Sequence, residues 1–494
     1  MKKLVSLALA LIMLVSAMPM ALAGADDNSM TVILGAEFST LDPLALPSSP
    51  EINFCTNIFD SLVKVDKDLN IIPCLATDWT VSDDGLTYTF NLRQGVKFHN
   101  GNDFTAEDVK LSIDRFRDET WMQFASFAVD SCEVVDDYTV TVKLKYAYGA
   151  FLSMLWYCAI IDSDYYAACT PDEFARNPVG TGAYKFVKWD AAQQVVLEAN
   201  ESYWDTPAQI KTLTFKFVTD SNQAFIAVEN GEADFYFNVS ATDFLRAQQD
   251  GVLGTATCRG NYFYFASFNA DVISKEVRQA LMYAVDRDVL NVFVNEGTGI
   301  VGDLPLVEGQ EGYTTDIKTY EYNPEKAKEL LAAAGAEGLT LNYYYAENSL
   351  NKKLGEALQA LFSQVGVTLE LTPVESGTWW ATFDTEPYGM SRGGYPMEKA
   401  NTDSCYYDMF HGENGTFNVA HIKNDEIDAL LDQARVELDS SVRNDIYIKV
   451  NQILAEEAYN IPLFFTASFV VYNPALKGVE AITDSNYQYK EFHW

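Results

Sequence analysis

The chain is long, and no linker segment divides it. Its 494 residues exceed what one hydrophobic core supports, since domains usually contain about 100–200 residues. Strand and helix patterns alternate along the chain, and no low-complexity segment separates them. Two or three α/β domains are therefore expected, and segments should cross between them because contiguous domains would need linkers.

Local patterns support the mixed α/β class. Tyr88, Phe90 and Leu92 alternate with polar neighbours, as the residues of half-buried strands do. Apolar residues in 277–284 have the i, i+3, i+4, i+7 spacing of an amphipathic helix. The pair Thr105 and Asp108 resembles a capping box, and 461–465 is expected to form a buried strand.

The N-terminus has the pattern of a secretory signal peptide. Lys2 and Lys3 precede an apolar run that is shorter than the ~20 residues of a membrane span. Ala21-Leu22-Ala23 supplies the small-x-small cleavage pattern. Residues 1–23 are therefore expected to be removed near Ala23, leaving a soluble protein that is secreted across the inner membrane to the periplasm or cell surface. The first cysteine is Cys55, so no lipid anchor is expected at the cleavage point.

The charge balance excludes one class of partner. The chain has 70 acidic and 34 basic residues and a formal net charge of −36. Such a field repels nucleic acid and anionic membrane surfaces. The seven cysteines form no CxxC and show no metal-site spacing, so their pairing stays open.

Catalytic motifs are missing from the sequence. It contains no HExxH, GxSxG or P-loop, and its SxxK matches at 61–64 and 349–352 lack SDN or KTG companions. We expect a binding protein without cofactors, not an enzyme. A secreted hydrolase that uses a pair of carboxylates remains the alternative from another class.

A specific resemblance begins in the first strand-rich region. Residues 76–109 are ATDWTVSDDGLTYTFNLRQGVKFHNGNDFTAEDV. This block closely resembles the signature of the family 5 extracellular solute-binding proteins of ABC importers, the oligopeptide/dipeptide/nickel-binding group. Further segments resemble other parts of that family, namely 40–43, 57–62, 177–184, 277–287 and 461–463.

The resemblance implies a two-lobed periplasmic-binding-protein fold, type II and cluster C-like. The family adds an extra small α/β domain and binds its ligand in a hinged cleft between the lobes. On this basis lobe I comprises 24–60, 176–272 and 469–494, the small domain comprises 61–175, and lobe III comprises 273–468. The crossing between lobes agrees with the missing linkers.

The resemblance also implies a ligand site. Family members that bind peptides hold the peptide backbone as an added strand and bind its free amine with an acid. Glu398 takes the place of that acid, and Asp403 is a rival anchor. Arg392 is a candidate clamp for a ligand carboxylate. Trp380 is a candidate for a pocket wall, and Gly394 and Tyr395 belong to the same segment as Arg392. Tyr262 and Tyr264 are candidates at the edge of the cleft, and Ser49 is a candidate in a loop.

The predicted function is capture of a short peptide and its delivery to the membrane permease subunits of an ABC importer. A monomer is expected. Nickel or a metal chelate is an alternative cargo, although the chain has only four histidines, of which His411 and His421 lie near the candidate segment. Oligosaccharide is the second alternative, favoured by the aromatic content of 13%.

Overall fold

The computed structural model describes residues 28–46, 49–66, 70–375, 378–379, 388–396, 401–415, 417–480 and 487–494. Its strands are β1 Ser29–Leu34, β2 Val63–Val65, β3 Ile71–Pro73, β4 Ala76–Val81, β5 Thr87–Leu92, β6 Val129–Asp136, β7 Thr139–Leu144, β8 Tyr184–Asp190, β9 Gln194–Ala199, β10 Thr212–Phe217, β11 Phe235–Phe237, β12 Gly254–Phe268, β13 Ile300–Val301, β14 Thr340–Ala346, β15 Thr368–Val374, β16 Met390–Pro396 and β17 Asn460–Tyr472.

Helices connect these strands throughout the chain. They are α1 Ser49–Cys55, α2 Ala106–Asp118, α3 Gln123–Ser126, α4 Phe151–Leu155, α5 Ser163–Ala168, α6 Pro171–Arg176, α7 Ser221–Glu229, α8 Ala241–Asp250, α9 Lys275–Met282, α10 Arg287–Asn295, α11 Pro324–Ala333, α12 Ser349–Ser363, α13 Asp403–Phe410, α14 Asp425–Val436 and α15 Ser440–Glu457. None of the helices in the described ranges is both long and apolar enough to span a membrane.

One large mixed sheet runs through most of the molecule. Its strand order is β15-β14-β16-β12-β17-β11-β1-β10-β9-β8, and β13 pairs with β17 beside this path. We call the half with β1 and β8–β11 lobe I, and the half with β14–β16 lobe III. Strands β12 and β17 pair with each other along both halves, from Gly254 opposite Tyr472 to Ser267 opposite Asn460. They are the segments that cross between lobes.

The pairing of the two crossing strands is irregular. The register between β12 and β17 shifts between Arg259 and Phe263 and again between Tyr264 and Phe265. At the second shift Phe464 lies opposite Tyr264 and Pro462 lies opposite Phe265. A proline has no N–H to give to a ladder, so this bulge suits its position.

A separate four-stranded sheet, ordered β4-β5-β7-β6, carries the small domain. Helix α2 packs on it and buries Val109, Ile113 and Phe116 in its core. The predicted capping box at Thr105 and Asp108 is confirmed, and so are the strand over Tyr88–Leu92 and the helix near 277. The exact domain boundaries given above stay predictions.

Both faces of the large sheet are covered. In lobe III one core contains Tyr343, Met390 and Phe464, and another contains Phe263 and Phe265. Lobe I likewise has one core around Phe215 and Phe235 and another around Phe225 and Phe469. Because the two sides of β12 face different cores, neighbouring residues on this strand have different surroundings.

Candidate functional site

Pairing between β12 and β16 brings four of the candidate residues to one sheet face. In this antiparallel pair Tyr264 lies opposite Gly394, and Ala266 lies opposite Arg392. Successive side chains of a strand point to opposite faces, so Tyr262 and Tyr264 share a face with Arg392 and Gly394. Tyr262, Tyr264 and Arg392 are each partly exposed on this face.

Gly394 makes room for one of the tyrosines. A Cβ at this position would lie 2.4 Å from Cε1 of Tyr262 and 3.0 Å from the carbonyl oxygen of Phe263. The Tyr262 hydroxyl donates a hydrogen bond of 2.8 Å to the Gly394 carbonyl oxygen. A larger residue at position 394 would therefore displace the Tyr262 ring from its present position.

Arg392 is held by aromatic rings. Its guanidinium carbon lies 5.0 Å from the ring centre of Tyr262 and 4.9 Å from that of Tyr264, which is cation–π distance. Burial lowers the pKa of Arg392, but the two tyrosines raise it, and the net pKa lies above its usual value. The side chain therefore stays charged.

Arg392 lacks an acidic partner within the described part of the chain, and its buried Nε has no hydrogen-bond partner there. Four other arginines, whose side chains are 5–18% exposed, each pair with a carboxylate. These pairs are Arg115–Asp42, Arg278–Glu457, Arg435–Asp403 and Arg443–Glu311. In a chain with 70 acidic residues, a partly buried arginine without such a pair is suited to an anion from outside.

Tyr395 lies on the opposite face of the same strand. It pairs with Phe263 in the sheet and packs against the lobe III core that contains Phe263 and Phe265. Its hydroxyl donates a 2.8 Å hydrogen bond to a carboxylate oxygen of Asp408. The structure therefore separates Tyr395 from the Arg392 face.

Asp403 is already engaged by the protein. It is 3% exposed, and the Arg435 guanidinium donates to its carboxylate at 2.9–3.2 Å. Burial raises the pKa of Asp403, and Arg435 only partly opposes that rise. A carboxylate with a buried counter-charge does not need a ligand amine, so we leave Asp403 out of the proposed anchor.

Three further candidates cannot be compared with the structure. Trp380 and Glu398 lie outside the described residues, and of Ser49 only its place as the first residue of α1 is described. They stay predictions.

The sequence interpretation missed Tyr343. This residue of β14 pairs with Met390, two positions before Arg392, and therefore shares the Arg392 face. Its buried hydroxyl has no hydrogen-bond partner among the described residues. Burial raises the pKa of Tyr343, and the nearby Arg392 opposes the rise. The Tyr343-Tyr344-Tyr345 run was the available signal, but strand pairing was needed to place it.

The two histidines considered for nickel contact other protein groups. Nδ1 of His411 accepts hydrogen bonds from the backbone N–H groups of Glu413 and Asn414. Nδ1 of His421 lies 3.2 Å from a carboxylate oxygen of Asp271. Within the described ranges, no cluster of three or more His, Cys, Asp or Glu residues is arranged to hold a metal ion.

Comparison with known families identifies the family of this chain. Residues 70–417 match the family described as "Bacterial extracellular solute-binding proteins, family 5 Middle". The chain belongs to this family. It is therefore a solute-binding component of an ABC importer, and the predicted two-lobed α/β fold is confirmed.

Relatives align over most of their length. Heme-binding protein A of Haemophilus influenzae is 29% identical over 462 residues, covering 85% of this chain and 84% of the relative. Glutathione-binding protein GsiB of Salmonella typhimurium is 28% identical over 492 residues, covering 94% of each. The periplasmic binding protein DppA of Helicobacter pylori, solved with the peptide STSA, is 26% identical with a TM-score of 0.75, covering 94% of this chain and 98% of that one.

Proposed function

We propose that this protein captures a short peptide in the cleft between lobes I and III and delivers it to the membrane permease subunits of its importer. The observation that carries the proposal is the charged, tyrosine-flanked Arg392 without an acidic partner among the described residues. Arg392 donates to the carboxylate of the ligand, since a guanidinium and a carboxylate form paired, charge-assisted hydrogen bonds. The family is described as solute-binding, which supports a role in binding without catalysis.

Tyr262 and Tyr264 have a supporting role in this proposal. Their rings hold the guanidinium by cation–π contacts, which keep it in place without neutralising its charge. Glu398 is proposed as the acid that binds the ligand amine, and Trp380 and Ser49 as further contacts in the cleft. The protein acts as a monomer after signal-peptide removal near Ala23.

The clamp predicts a dependence on the carboxyl terminus of the peptide. Unmodified peptides should bind the wild-type protein at least about tenfold tighter than the same peptides with an amidated C-terminus, because hydrogen bonds to charged groups contribute about 1.5–3 kcal/mol. Arg392→Met should bind both forms with the same weak affinity, whereas Arg392→Lys should keep part of the difference. Titration calorimetry with di- to hexapeptides, after cargo is removed by mild unfolding, measures this.

Arg246→Met is the matched control, because Arg246 is a half-exposed arginine of lobe I. It should bind like the wild type. If wild type and Arg392→Met show the same ratio between acid and amide peptides, the clamp assignment is refuted.

The alternative cargoes can be tested by titrating them into the same proteins. Heme and metal chelates that carry carboxylates would use the same guanidinium, and their binding would also weaken in Arg392→Met. Oligosaccharide lacks the group that Arg392 recognises. Saturable binding of a sugar or of Ni²⁺ without any peptide response would overturn the peptide assignment and leave the family assignment intact.

A further inference from the structure

The small domain contacts lobe I through charged and polar groups. The Arg115 guanidinium of α2 donates to both carboxylate oxygens of Asp42 at 3.2 and 2.8 Å. The His99 ring also lies between the backbones of Gly180 and Gly182. These contacts join the small domain to lobe I.

The small domain also contacts lobe III. The backbone N–H of Gly149 donates to the Arg435 carbonyl oxygen at 2.9 Å, and the Asn401 side-chain amide donates to the Tyr148 hydroxyl at 3.4 Å. The Arg435 guanidinium lies 5.5 Å from the ring centre of Phe127 in the small domain. We call the contact of Tyr148 and Gly149 with Asn401 and Arg435 the clasp.

The lobe III side of the clasp is held in place by a second arginine. Arg443 donates to both carboxylate oxygens of Glu311, at 3.0 and 2.6 Å. It also donates to the carbonyl oxygens of Glu437 and Leu438 at 2.9 and 3.0 Å. Arg443 thus holds the Glu437 carbonyl group, which lies next to Gly149.

The clasp closes a ring of contacts around the molecule. Lobe I and lobe III are joined by β12 and β17, whose first register shift, between Arg259 and Phe263, lies where the halves meet. The small domain is joined to lobe I and also contacts lobe III through the clasp. This is a second connection between the two lobes. Rotation of lobe III about the crossing strands therefore has to break the clasp or carry the small domain away from lobe I.

We propose that the clasp restrains the rotation of lobe III, so that the small domain sets how freely the cleft opens. Without it, β12 and β17 would be the remaining strand connection, and lobe III would sample a wider range of orientations. Ligand binding would then include the loss of this added freedom. The inference needs no assumption about which solute the cleft binds.

Gly149→Ala tests the clasp without touching the Arg392 face. A Cβ at Gly149 would lie 2.0 Å from the Glu437 carbonyl oxygen and 2.9 Å from Nη1 of Arg443, so Tyr148 and Gly149 have to move away from lobe III. Gly35→Ala is the matched control, because a Cβ at the exposed Gly35 meets no atom within 4 Å.

Two measurements on the ligand-free protein test the effect. In Gly149→Ala, small-angle X-ray scattering should give a larger radius of gyration than in wild type and in Gly35→Ala. Hydrogen exchange of the amides in 145–151 should become about tenfold faster, since one hydrogen bond contributes about 0.5–1.5 kcal/mol. Exchange within β5 and β7 should not change, which shows that the small domain remains folded.

Tyr148→Phe is the second variant, because it removes one hydroxyl and introduces no clash. It should change the scattering in the same direction by a smaller amount. If Gly149→Ala scatters like Gly35→Ala while its 145–151 amides exchange faster, the clasp does not restrain the lobes and the proposal is overturned. Unchanged exchange in Gly149→Ala would overturn it as well, because a methyl group 2.0 Å from the Glu437 carbonyl oxygen cannot fit the clasp, so the clasp would then be absent from the protein in solution.

Discussion

Acidification should weaken the joint between the small domain and lobe I, because it titrates His99. The Gly180 backbone N–H donates to Nδ1 of His99 at 3.3 Å, and Nε2 lies 3.0 Å from the Gly182 carbonyl oxygen. Only the neutral ring, with its proton on Nε2, satisfies both neighbours. Burial therefore lowers the pKa of His99 from 6.5 to about 4, although the hydrogen bond to Gly182 opposes this.

The sign and size of the effect follow from this pKa. Above pH 6.5 the ring is neutral in both the folded and the unfolded chain, so its full contribution to stability is present. Between pH 6.5 and about 4 the unfolded chain binds a proton that the folded protein does not, and stability falls. Over this window the free energy of unfolding should decrease by about 3 kcal/mol on account of His99.

His99→Gln isolates the contribution of the imidazole. A glutamine amide has an NH₂ group that donates and a carbonyl oxygen that accepts, but it does not titrate. Urea unfolding at pH 8, 6.5, 5.5 and 4.5, followed by tryptophan fluorescence, gives the free energy of unfolding for both proteins. The variant should be close to wild type or somewhat less stable at pH 8, and the wild type should lose stability faster on acidification. Carboxylates titrate in both proteins, so their contribution cancels in the comparison. A difference between wild type and variant that stays constant from pH 8 to 4.5 would refute the assignment of a buried neutral ring.

Three other substitutions test the site and its surroundings. Gly394→Ala should displace the Tyr262 ring, which would lie 2.4 Å from the new methyl group, and should lower peptide affinity at least about tenfold by calorimetry; unchanged affinity would contradict the close packing. Asp403→Asn should destabilise the protein by about 3–5 kcal/mol in urea unfolding, because it leaves Arg435 buried without its counter-charge, and a loss below about 1 kcal/mol would argue against a buried ion pair. Glu398→Gln should weaken binding of peptides with a free amine but not of N-acetylated peptides, and equal losses for both would exclude Glu398 as the amine anchor.

Local features of the fold could be predicted from the sequence because their causes are local. The Thr105 cap and the strand that contains Phe90 depend on residues a few positions apart. The crossing between lobes could also be inferred, because a chain of this length without linkers has few other arrangements. The path of β12 and β17 through both halves of the sheet agrees with that inference.

The composition of the site face could not be predicted in the same way. Tyr264 and Gly394 are brought together by strand register across 130 residues of chain, and register depends on the whole sheet. Gly394 and Tyr395 are neighbours in the sequence but lie on opposite faces of β16. The Tyr395 side chain packs against the core that contains Phe263 and Phe265. Asp403 was a candidate because it is an acid near the right segment, but its partner Arg435 comes from another helix.

The net negative charge of the chain makes the positive charge of Arg392 important for binding an anionic ligand. With twice as many acidic as basic residues, the net charge of the protein disfavours anions. A carboxylate-bearing ligand therefore needs a local positive charge, and Arg392 provides one that no acid within the described residues neutralises. Tyr262 and Tyr264 hold that charge without cancelling it. A peptide with free termini carries such a carboxylate, and its amine is attracted by the net negative charge of the chain. The same reasoning disfavours polyanions and supports the proposal of a zwitterionic peptide as the cargo.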